Sequence, residues 1–183
     1  MTWLIIVFVV MALIGTIYSM RPSARDRRLS ELRLAAIRSG IQVRQQTFRV
    51  DAAKTGVRED ITATGYTLMM PQPPHGEKAR QQLLFRIVGQ EGWEAAGLPD
   101  GWAWHDLPEA KDHEAAVGRA EALAPQLVRL LSSMDDELKM LEVYENRIVL
   151  FAAEQKSASA EKYLKVLEGL RLMADELVSQ RMR

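Results

Sequence analysis

The sequence predicts an α+β fold: one N-terminal transmembrane helix, then a single domain in which a mainly antiparallel sheet packs against helices. Three observations carry this. Residues 2–20 form a run of nineteen without a charge. Short runs rich in β-branched and aromatic residues, at 41–50, 60–70, 83–88 and 138–153, have the character of strands. Two longer stretches, 112–136 and 157–182, instead repeat apolar residues every three or four positions. The chain divides accordingly into a signal-anchor helix (1–20), a basic juxtamembrane helix (21–40) and an α+β domain (41–183).

At 1.5 Å per residue, the run from Thr2 to Met20 spans roughly 28 Å, close to the thickness of a bilayer hydrocarbon core. With no water there to satisfy the backbone, such a run must close its hydrogen bonds as a helix. The rival reading is a cleaved signal peptide, which wants a basic start, a shorter apolar core and small residues at its end. No Lys or Arg precedes the run, and it ends in Thr16-Ile17-Tyr18-Ser19-Met20, so an uncleaved anchor fits better. The next twenty residues contain Arg21, Arg25, Arg27, Arg28, Arg33 and Arg38. Positive residues beside a span stay on the cytoplasmic side, which places the N-terminus outside and the domain in the cytoplasm. A periplasmic domain would have to override those six arginines. If the chain is bacterial, as its style suggests, the membrane is the inner one. Ala12, Gly15, Thr16 and Ser19 sit at three- and four-residue spacings that would let two such helices approach as a homodimer. Ordinary lipid-facing residues are the plainer account of them.

The formal net charge of zero hides a segregation. Residues 21–50 carry eight Arg against two acids, and residues 51–183 carry sixteen bases against twenty-two acids. A basic collar beside an acidic body suits an inner-leaflet protein, with Arg21, Arg25, Arg27 and Arg28 as candidate lipid-headgroup contacts. The solvated face of a topology signal is the plainer reading of the same arginines. Nucleic acid would need a basic face on the domain itself, which the composition does not provide. Cysteine is absent, which removes disulfides, thiolate zinc sites and thiol nucleophiles.

Beyond the anchor, Ser23 with Asp26 three residues on forms a weak capping box for a helix ending near Ser39, with Gly40 as its C′ residue. Alternation at Ile41, Val43, Phe48 and Val50 gives a half-buried strand, and polar residues 52–59 with Gly56 a loop or turn. Residues 60–70 are a second strand, the Pro-rich stretch from Pro71 to Gly76 an irregular connection, and Leu83 to Val88 a third strand. Residues 112–136 form a helix in which Pro125 either introduces a kink or starts a second helix. Residues 138–153 read as a hairpin turning at Glu145-Asn146, its second strand apolar enough to be buried on both faces. The last helix, from Ser157, packs on the sheet.

Gly89 to Pro108 holds three of the four tryptophans, Trp93, Trp102 and Trp104, around a Leu98-Pro99-Asp100-Gly101 turn. Indoles usually contribute buried area, which favours a lid over one edge of the core. The sharper alternative makes the three an exposed interaction surface, since Trp is enriched in binding hot spots.

No phosphate loop, dinucleotide fingerprint or nucleophile elbow is present, so no catalytic, cofactor-binding or metal-ligating residue is assigned. His75, His105 and His113 lack a metal-ligand spacing, although His105-Asp106 and His113-Glu114 place carboxylates beside imidazoles. Asp135-Asp136-Glu137, near a helix end, calls for a basic partner. The sequence therefore points to a non-enzymatic accessory or adaptor that binds another protein or a membrane complex. The alternative is a membrane-tethered enzyme or small-ligand-binding domain, built around His105 with Asp106 or His113.

Overall fold

A computed structural model describes residues 2–19, 23–56, 59–71, 82–134 and 137–181. The order is α1 (Thr2–Ser19), α2 (Ala24–Arg38), β1 (Gln42–Phe48), a helical turn α3 (Ala52–Thr55), β2 (Ile61–Met69), β3 (Leu83–Val88), β4 (Ala103–Asp106), α4 (His113–Leu131), β5 (Leu138–Tyr144), β6 (Arg147–Ala152) and α5 (Ala160–Arg181). The expected α+β class is present. Six strands form one sheet in the order β1-β2-β6-β5-β3-β4, with every neighbouring pair antiparallel. The C-terminal hairpin β5–β6 thus sits in the middle, between two hairpins made earlier in the chain.

Local chemistry accounts for the boundaries. Ser23 caps α2 reciprocally with Asp26, and Gly40 follows it at φ 83°. Asp112 caps α4 by accepting from the Ala115 amide at 2.8 Å. The hairpin turns at Glu145-Asn146 as its sequence indicates, and β6 alternates Ile148 and Leu150 toward the helices with Val149 and Phe151 toward the other face. α4 runs through Pro125 as one helix, which excludes a second helix starting there; Ala124, Leu127 and Leu131 stay buried on either side and offset the lost backbone bond. One expectation is corrected: the tryptophan-rich segment is not all loop and contains a sixth strand, β4. The Pro-rich connection lies largely outside the described residues, as do His75, Asp135 and Asp136.

All three long helices of the domain contribute to one core on one side of the sheet. Leu32 and Ala36 of α2, Leu127 and Leu131 of α4, and Tyr163, Leu167 and Leu170 of α5 meet Tyr66, Phe85, Ile87, Leu141 and Leu150. A smaller core on the opposite face joins Ile61, Val88, Met140, Val149 and Phe151 with Phe48 and Val50. Phe48 ends one edge strand, yet its ring meets His105 of the other edge strand at 5.2 Å. Twist therefore curls the sheet far enough to bring its two edges into side-chain contact.

α1 presents an apolar surface all round, from Trp3 to Ile14. Among the described residues no helix is long and apolar enough to cross a membrane.

Candidate functional site

The three tryptophans part company. Trp104, only 1% exposed, packs edge-on against Phe85 with ring centroids 5.6 Å apart and donates its indole N–H to the Ala96 carbonyl at 3.2 Å. Trp102 is buried in the same core. Both are the lid over the core edge that indole chemistry favours. Trp93 is different: 74% of it is exposed. Its ring lies over Gly56, where a Cβ would fall 2.3 Å from the indole Nε1 and where φ is 74°. The tryptophan segment also approaches α4 through Gly97, whose Cβ would stand 2.9 Å from that of Ala124. A bare backbone at both glycines allows this segment to sit so close to its neighbours.

Beneath this corner runs a chain of charges on the smaller-core side of the sheet. Arg86 and Glu142 face each other in register on β3 and β5, with Arg86 Nε donating to Glu142 at 2.9 Å. Arg86 Nη1 donates to Asp106 at 2.5 Å, and Lys54 Nζ donates to the same carboxylate at 2.6 Å. The Arg86 guanidinium also stacks 4.6 Å from the Phe48 ring centroid. Burial raises the Asp106 carboxyl, but the bonds from Lys54 and His105 and the Arg86 charge outweigh it and hold it below its ordinary range. A lone charge inside Leu83-Leu84-Phe85-Arg86-Ile87-Val88, and Glu142 between Leu141 and Val143 in β5, were the sequence signal for this pair, since a charge among apolar strand residues needs a partner.

His105 and Asp106, adjacent in sequence, are joined: His105 Nδ1 lies 2.8 Å from Asp106 Oδ2. The other ring nitrogen is taken too, because the Asp51 amide donates to Nε2 at 3.2 Å. An acceptor at Nε2 fixes the neutral tautomer with its proton on Nδ1, donated to Asp106. Nε2 seats the β1–β2 connection on β4 and Nδ1 bonds the neighbouring Asp106 within β4, so both ring nitrogens are engaged in fold contacts. His113 is not brought to this pair. It is exposed on α4, with Nε2 3.9 Å from Glu94. No group of three or more His, Cys, Asp or Glu is placed to hold a metal ion among the described residues.

The other side of the sheet carries two buried carboxylates. Glu154 accepts Arg33 Nε at 2.7 Å, Arg33 Nη2 at 2.5 Å and the Tyr66 hydroxyl at 2.6 Å. Glu137 accepts the Tyr163 hydroxyl and Ser157 at 2.6 Å each, and Lys162 at 2.9 Å, so this acid does find its basic partner. The rings of Tyr66 and Tyr163 touch edge to face at 4.5 Å, linking the two clusters. Burial raises both carboxyls, and the hydrogen bonds more than reverse it, leaving each below its ordinary value. Both phenols are driven upward, by burial first and by their carboxylates second. Every acceptor here is occupied by a fold contact, and the clusters lock α2 and α5 to the sheet. Arg33 and Glu154 were not visible as a pair from sequence, being 121 positions apart.

The arginine collar divides likewise. Arg28 turns inward and donates to the backbone carbonyls of Glu154 and Gln155, the former at 3.0 Å. Arg25 and Arg27 are exposed, and Arg21 lies outside the described residues. On α1, Ala12 is exposed and Gly15 has open space where a Cβ would stand, while the side chains of Thr16 and Ser19 lie outside the described set. A cleft of about 470 Å³ opens beside β3, lined by Leu84, Pro108, Leu123 and Leu177 with Glu109 and Arg119. Arg119 donates to the Glu109 carbonyl, and no histidine lines the cleft.

No family model matches the chain, and neither the search of curated proteins nor that of solved structures finds a match.

Proposed function

We propose that the protein is a single-pass inner-membrane accessory or adaptor, anchored by α1 with its N-terminus outside, that presents its α+β domain in the cytoplasm to a protein partner. The observation that carries the docking half is Trp93. A large indole left 74% exposed over a glycine, on a segment whose other two tryptophans are buried, is the kind of rigid apolar anchor that binding hot spots use. Support for the anchor half comes from α1, an 18-residue helix whose full length spans about 27 Å, and from the arginines that follow it. The fully engaged His105 argues against a histidine-based reaction at the sheet.

The test is crosslinking in intact membranes, comparing the parent chain with Trp93→Ala. Removing an exposed side chain should shift domain stability by less than about 0.5 kcal/mol, so any loss of a partner would be a docking effect. A protein adduct recovered from the parent and lost from the variant is the expected result. Identical recoveries from both, or no protein adduct from either, refute docking through Trp93. The cleft beside β3 favours the alternative reading, a tethered small-ligand-binding domain, because its apolar lining with one cation and one carboxylate suits a small amphiphilic molecule.

A further inference from the structure

Five residues on the outer side of α2, Arg27, Ser30, Leu34, Ile37 and Arg38, fall along one stripe at three- and four-residue spacing, and all five are exposed. Leu34 is 48% and Ile37 53% exposed, although each would gain by burial. The helix cannot roll to hide them. Leu32 and Ala36 are buried in the main core, and Arg28 and Arg33 are held on the inward side by Glu154 and Gln155. The stripe is thus locked outward by contacts on the opposite face.

Its position along the chain says what lies against it. α1 ends at Ser19 and α2 starts at Ala24, so the two helix ends can be no more than about 18 Å apart even if the chain between them is fully extended. If α1 spans a bilayer, α2 therefore begins at or just below the headgroup layer. A helix with leucine and isoleucine outward and arginines beside them is the kind that lies in that layer, apolar residues at the acyl boundary and guanidinium groups among the phosphates. The exposed acid Glu31 opposes part of this charge, and Asp26 is engaged in the N-terminal cap.

We infer that the outer face of α2 rests in the headgroup layer of an anionic bilayer, with Leu34 and Ile37 inserted and Arg27 and Arg38 on lipid phosphates. This deepens the anchored reading and rests on it. It also gives the domain a fixed attitude: α2 is bonded to the sheet, so seating α2 orients the Trp93 corner with respect to the membrane.

The chain has no cysteine, so single labelling positions are clean. Full-length Ile37→Cys, Phe8→Cys and Gln126→Cys, each carrying a polarity-sensitive fluorophore, would be placed in nanodiscs of phosphatidylcholine with and without phosphatidylglycerol. The Phe8 label reports the anchor, and Gln126, on the exposed side of α4, reports water. Expected is a blue shift at Ile37 relative to Gln126, larger with phosphatidylglycerol and reduced by Arg27→Gln with Arg38→Gln. A Phe8 label in apolar surroundings with Ile37 emitting like Gln126 in both discs overturns the seating of α2 and leaves the anchor standing. A Phe8 label that itself emits as in water overturns the anchor and the inference together.

Discussion

Replacing Glu154 should destabilise the domain strongly, and in a way that reports on its backbone as well as its charge. The residue sits at φ 52°, in the left-handed region that costs a side-chain-bearing residue about 1 kcal/mol or more. Its backbone is held there independently of the side chain, because Arg28 donates to the Glu154 carbonyl at 3.0 Å, while the carboxylate takes the buried Tyr66 hydroxyl and two bonds from Arg33. In Glu154→Ala the buried phenol loses its acceptor, at about 1–3 kcal/mol, while the strain remains. Arg33 loses its partner too, but its side chain is 37% exposed and water can take over part of the role, so that loss is about 1 kcal/mol. The expected total is about 3 kcal/mol, which lowers a urea midpoint by roughly 1.5–2 M for a domain of this size. Glu154→Gly loses the same bonds and escapes the strain. Even after the extra freedom of glycine in the unfolded chain, it should be more stable than the alanine variant by about 0.5–1 kcal/mol. Urea unfolding of the full chain in micelles, followed through the emission of the buried Trp102 and Trp104, measures both. An alanine variant within about 0.5 kcal/mol of the parent, or a glycine variant less stable than the alanine one, would refute the reasoning.

Two further outcomes follow from the same structure. Gly89→Ala should cost about 2–3 kcal/mol, because its Cβ would stand 2.1 Å from the Leu138 backbone carbonyl oxygen, which has no rotamer to move away; a variant as stable as the parent would show that β3 and β5 can part. Acid should weaken the fold through Glu137 and Glu154, whose folded values lie below their ordinary 4.5. Their contribution is complete above about pH 4.5 and disappears as pH falls through the depressed folded values, since the unfolded chain takes up the protons first. Thermal midpoints taken from pH 7 to 3 should fall in the parent and fall less steeply in Glu154→Gln; parallel curves would remove Glu154 from the account.

Elements set by local periodicity were legible in the sequence. Leu83–Val88, the hairpin turn at Glu145-Asn146 and the cap at Ser23 lie where a short apolar run, turn chemistry and capping chemistry put them. β4 was not legible, being four residues long and surrounded by Gly, Pro and Asp that read as a loop. Its one clue was the spacing of Trp102 and Trp104 by two, which puts both rings on the same side of an extended chain. Among site residues, the separation of Trp93 from its two neighbours depends on tertiary packing that no spacing encodes. So does the inward turn of Arg28 within a run of arginines that look alike in sequence. His105 beside Asp106 suggested chemistry, but its role was decided by an amide from Asp51, more than fifty positions away.

The strand order has a consequence in time. β2 and β3 can each pair on one side as soon as they leave the ribosome, through the hairpins they make with β1 and β4. Their inner edges are filled only by β6 and β5, which arrive roughly eighty residues after β2. At ~5–20 residues per second that is an interval of several seconds. Once β4 has emerged, the chain carries two half-sheets with open, apolar edges of the sort that recruit other strands. The last hairpin to be synthesised is therefore the one that joins the domain. Until it inserts, the nascent protein depends on whatever shields those edges.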